Sequence, residues 1–110
     1  MQNWEQYRGE LAGRFTELGA MSPETMKAVG AIGAAPAATN LLGAKMHELI
    51  SLAVAVTTRC DGCIAFHAAK AKKLGVSAEE VAEALSVAIG MNAGAALVYS
   101  GRTLDAFANS

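Results

Sequence analysis

Apolar residues in this chain recur every three or four positions, and no segment sustains the period-two alternation of a half-buried strand. That periodicity restricts the chain to helices. Composition points the same way: the 110 residues include 24 Ala but only 2 Pro, with 5% aromatics. Abundant alanine with few large rings suits closely packed helices better than a sheet. An all-α fold is expected, as a single domain over residues 1–110 or as one protomer of something larger. A chain 53% hydrophobic and 17% charged is not intrinsically disordered. Its net charge of −1 offers no basic excess, so neither nucleic acid nor an anionic membrane is expected as a partner.

Turn and cap signals divide the chain into about six helical pieces. In the first, residues 3–18, Trp4, Tyr7, Leu11, Phe15 and Leu18 form one apolar stripe, and Gly19 closes it. Ser22-Pro23-Glu24 opens a second with a cap, a proline at the first position and an acid in the first turn. Gly33 and Pro36 are expected to end it. Residues 37–43 read as a connector. A third helix, residues 44–58, is apolar nearly all round and is expected to be the buried central one. A fourth runs from Cys60 to Leu74 and closes on a basic last turn followed by Gly75. Ser77 and Glu80 spell a capping box for a fifth, with Val81, Ala84, Leu85, Ala88 and Ile89 as its stripe. Asn92-Ala93-Gly94 is expected to break it. A sixth would span residues 95–108 with Leu97, Val98, Gly101 and Leu104 facing inward. Segments apolar on several faces in so short a chain predict that neighbouring subunits cover part of the surface. No secretory leader is recognised at Met1–Glu5, and the longest apolar stretch, residues 49–56, is far short of the roughly 20 residues that span a bilayer. A cytoplasmic protein is expected, and two cysteines there read as redox or metal chemistry rather than a staple.

The chemistry concentrates between Glu48 and His67. On a helix, Cys60, Cys63 and His67 fall within an arc of about 60°, so thiol, thiol and imidazole share one face. Glu48 lies on the preceding helix, and antiparallel packing would bring its carboxylate to that face. Two cysteines at i and i+3 can bridge without distorting the backbone. A helix N-terminus stabilises a thiolate, the reactive form. His67 can move protons near neutrality, and a buried carboxylate can serve as acid or base. Cys60, Cys63, His67 and Glu48 also form a possible zinc set, although structural zinc sites usually draw ligands from separated segments. Inert buried cysteines are the third reading. His47 points about 100° away from Glu48 on the helix and reads as packing or interface.

The segment from Glu48 through Cys60-Asp61-Gly62-Cys63-Ile64-Ala65-Phe66-His67 resembles the carboxymuconolactone decarboxylase superfamily, and within it the alkylhydroperoxidase D (AhpD)-like core. That signature is Glu, eleven residues, then Cys-x-x-Cys-x-x-x-His, and it fits without gaps. The likeness extends over residues 40–108, through Leu74–Ala84 and Met91-Asn92-Ala93-Gly94. It implies an all-helical AhpD-like fold, a homo-oligomer such as a trimer or hexamer, and peroxidase or disulfide-reductase activity with no cofactor or metal. It implies a hydroperoxide or disulfide substrate and a dithiol or thioredoxin-like reductant. By position Cys63 matches the peroxide-attacking cysteine, Cys60 its resolving partner, and Glu48 and His67 members of the proton relay. A second relay histidine of characterised members is here Gly62, which implies a weaker or rerouted relay. Helix-dipole logic, taken alone, favours Cys60 as the lower-pKa thiol. Two alternatives remain. One is a lactone-diacid decarboxylase, for which Arg59 is the obvious carboxylate holder. The other is a non-enzymatic metal-binding or assembly protein.

Overall fold

A computed structural model describes residues 1–110, and every regular element in it is an α-helix. There are five: α1 (Trp4–Met21), α2 (Pro23–Thr39), α3 (Ala44–Thr58), α4 (Asp61–Lys73) and α5 (Ala78–Ala108). The starts follow local chemistry. The Asn3 side chain accepts from the Gln6 N–H at 3.0 Å to open α1. Pro23 occupies the first turn of α2. At α5 both halves of the capping box form: Ser77 Oγ accepts from the Glu80 N–H, and Glu80 Oε1 accepts from the Ser77 N–H.

Three expected helix ends are absent. α1 runs through Gly19 to Met21, where Ser22 caps it through its amide bonded to the Leu18 carbonyl. α2 continues through Gly33 and Pro36 to Thr39 and stops where Asn40 turns left-handed at φ 48°. Proline in the last turn removes one amide bond, while four flanking alanines favour the helix and Asn40 supplies the terminating conformation. The predicted fifth and sixth helices are one element of 31 residues. Asn92 does not break it, and its Nδ2 donates to the Ala88 carbonyl one turn back at 2.7 Å. Each poor helix former costs about 1 kcal/mol or less, whereas a break would add two uncapped ends and a second nucleation.

α3 packs against both α4 and α5, and α1 packs against α4 and α2. One face of α3 is central as expected, with Glu48, Leu52 and Ala55 buried. Its other side is open, and Ile50, Val54 and Val56 are exposed. The first half of α5 covers α3 through the side holding Ala88. Beyond Ala88 every residue is exposed, so Ile89, Leu97, Val98, Gly101 and Leu104 do not face inward within one chain. From Lys27 to Leu42, most of α2 and the start of its connector are equally bare. α5 is the one helix long and apolar enough to cross a membrane, by length and composition.

Candidate functional site

The site is built where α3 ends and α4 begins. Arg59 caps α3 in the left-handed region at φ 54°, and the chain doubles back after one more residue. That residue, Cys60, is the N-cap of α4. Its Sγ accepts from the Cys63 N–H at 3.1 Å, so sulfur takes the place usually held by a serine or aspartate oxygen. Cys60 and Cys63 are joined by a disulfide across a Cα–Cα distance of 5.2 Å.

The reversal also brings Glu48 beneath α4. Glu48 is 4% exposed, the one charged residue in the buried set. A buried charge persists only when it is paired and hydrogen-bonded. Nδ1 of His67 donates to Oε2 of Glu48 at 2.7 Å, and Nζ of Lys70 lies 3.4 Å from Oε1. With Nδ1 turned to the carboxylate, the ring leaves Nε2 free of Glu48. Glu48, His47, Ser51, His67 and Lys70 line a cavity of about 470 Å³, closed on one side by Pro36, Asn40 and Leu42. His67 and Lys70 also line a second cavity, on the α1 side, with Glu5, Arg8 and Lys73.

The four predicted residues thus form two adjoining pairs, a disulfide and a carboxylate–imidazole pair. The one hydrogen bond to either sulfur comes from the Cys63 amide, and Glu48 is engaged by His67 and Lys70 rather than by a cysteine. No group of three or more His, Cys, Asp or Glu side chains is placed to hold a metal ion. Arg59 lies outside the cavity that holds Glu48.

The pairing of Lys70 and the packing of Gly62 are not legible in the sequence. Lys70 belongs to the basic last turn of α4, yet it stands three residues after His67 on the same helical face. Gly62 is packed against α1: a Cβ there would come 2.8 Å from Leu11 Cδ2 and 3.9 Å from the Tyr7 hydroxyl. The Gly62 position is therefore roofed by another helix. α1 is held on α4 further along by Phe15 stacked on Phe66, ring centroids 6.3 Å apart, and by Arg8 donating to the Ala65 carbonyl.

Comparison with known proteins agrees with this geometry. The model of the carboxymuconolactone decarboxylase family matches residues 23–105, which contain α2, α3, α4 and most of α5. The chain belongs to the carboxymuconolactone decarboxylase family. The match begins at Pro23 and so includes α2, which carries no signature readable by eye. An uncharacterized protein of Haemophilus influenzae is 50% identical over 105 residues, covering 96% of this chain and 93% of that one. An uncharacterized protein of Cupriavidus necator is 33% identical over 98 residues, 89% of this chain and 87% of its own. A Paracoccus denitrificans protein, described as uncharacterized protein 4 in cox locus, is 37% identical over 67 residues, 61% of this chain and 60% of its own. These relatives attach no chemistry to the family's fold in this chain, so the chemistry is argued from the site.

Proposed function

We propose that this family member is an AhpD-like thiol peroxidase or disulfide reductase working through Cys60 and Cys63. The observation carrying this reading is a disulfide at a helix N-cap beside a buried, hydrogen-bonded Glu48–His67 pair. In the reduced protein, the relay of His67 and Glu48 removes the proton of Cys63, directly or through water. The Cys63 thiolate attacks the distal oxygen of a hydroperoxide. The O–O bond breaks, an alcohol leaves with a proton returned by the relay, and Cys63 becomes a sulfenic acid. Cys60 attacks that sulfur, the S–O bond breaks, and water leaves as the disulfide closes. A dithiol or thioredoxin-like partner then returns two electrons and two protons.

Self-association belongs to the same proposal. Only 6 of 110 residues are buried, and the chain exposes 8388 Å². A folded monomer of this mass exposes about 5,700 Å². Its radius of gyration is 17.8 Å, against about 13 Å for a compact chain of this length. The excess area matches a large obligate interface, which commonly exceeds about 2,000 Å². Second copies of this chain would cover α2 and the outer half of α5, in a trimer or hexamer. A cytoplasmic setting suits a pair that needs a dithiol reductant.

The test is rapid quench with intact mass. The anaerobically reduced protein receives one equivalent of an organic hydroperoxide and is then alkylated. Loss of both alkylation sites within the first turnover is expected. Two thiols still free after long exposure would remove peroxide as substrate, and turnover surviving alkylation would favour the decarboxylase reading.

A further inference from the structure

We infer that external thiols bond to Cys63, and that Cys60 is the sulfur that leaves when the disulfide opens. The inference rests on the redox reading above and adds the direction of its reductive half. The two sulfurs occupy unequal positions on α4. Cys60 is outside the helix, at the cap, with extended backbone at φ −100° and ψ 94°. Its Sγ already accepts the Cys63 amide proton at 3.1 Å. Cys63 is inside the first turn, and its sulfur accepts no hydrogen bond. A negative charge arising on Cys60 meets an aligned N–H and the positive end of a 13-residue helix. A charge on Cys63 has no such aligned N–H and lies further along the first turn, where the effect of the helix end falls off. The neighbouring Asp61 carboxylate opposes the charge on Cys60, but that side chain is exposed and water screens it.

Thiol–disulfide exchange turns this asymmetry into a direction. An incoming thiolate bonds to one sulfur while the other departs as thiolate, and the better-stabilised thiolate departs faster. A dithiol reductant therefore forms its mixed disulfide with Cys63, and the S–S electron pair goes to Cys60. The reductant's second thiol, as thiolate, then attacks the reductant sulfur bound to Cys63. The reductant closes to its own disulfide, and Cys63 leaves as a thiolate that takes a proton. The same asymmetry explains the relay's placement: Cys63 lacks a stabilising amide, so side chains must remove its proton.

The experiment uses the oxidised full-length chain with excess 2-mercaptoethanol, quenched in acid on the millisecond-to-second scale and mapped by peptide mass. The adduct is expected on Cys63 over Cys60 by about fivefold or more, because the better-stabilised thiolate leaves faster. Adduct mainly on Cys60, or divided equally, overturns the inference and leaves the redox reading standing. A disulfide that fails to open under these conditions overturns the redox reading, and the inference with it.

Discussion

Glu48 is the residue on which the proposed chemistry depends most. Its carboxylate is buried and held from two sides by His67 and Lys70. Glu48→Gln keeps the shape and removes the charge. Disulfide formation with hydroperoxide is expected to slow by about 10²-fold or more, the usual worth of a positioned acid–base group, with helix content unchanged in circular dichroism. Stopped-flow measurement showing wild-type rates in that variant would remove the relay from the mechanism. Gly62 makes the opposite point, since the missing side chain matters there. Gly62→His would restore a histidine to the motif but drive it into Leu11 and Tyr7. The expected cost is about 1–3 kcal/mol by chemical denaturation, reduced when Leu11→Ala is added, because the second change opens the space. Strict additivity of the two changes would show that the contact does not limit the site.

At the scale of an element, α5 shows how local caps and distant packing divide the work. Its start is set by the Ser77–Glu80 box, and Ser77→Ala is expected to cost about 1 kcal/mol. The Ser77 amide bonded to the Glu80 carboxylate, with the Ser77 side chain, holds that carboxyl below its ordinary value of 4.5. A lowered carboxylate stabilises the fold at higher pH. The contribution is complete above 4.5 and is lost as pH falls through the depressed folded value. Thermal melts between pH 6 and 3 should therefore show Ser77→Ala and wild type converging toward the acid end; parallel curves would exclude the box as the source. Asn92, Gly94 and Gly101 read as breakers only while each is taken alone. Inside a helix already nucleated and extended on both sides, their small penalties do not add up to a break.

The whole molecule buries little, 6 of 110 residues. Leu97, Val98, Leu104 and Phe107 are 65–84% exposed along the outer half of α5. Few charges interrupt that surface, Arg102 and Asp105 among them. Sedimentation is expected to give a mass of several chains, and Leu97→Glu to lower it by burying an unpaired charge at the contact. A wild-type monomer in solution would exclude self-association as the cover for this surface.

What the sequence determined by itself is what neighbours along the chain decide: the all-α class, the Ser77–Glu80 capping box, the proline in the first turn of α2, and the spacing that lets Cys60 and Cys63 meet; Ser22, expected to cap α2, bonds through its side chain to Thr25 instead. Each depends on residues within one or two turns, where spacing fixes direction. Glu48 belongs with them in part, since a short reversal after Thr58 leaves little choice but to return α4 along α3. What only the tertiary structure decided involves separated segments. Lys70 became a partner of Glu48 when two helices met, and Gly62 became a packing position when Leu11 arrived from the other end of the chain. The burial of α3 on one face and the bareness of α5 beyond Ala88 belong there too. Apolar periodicity names the side of a helix that seeks cover, but the surface that covers it lies elsewhere in the chain or on another molecule.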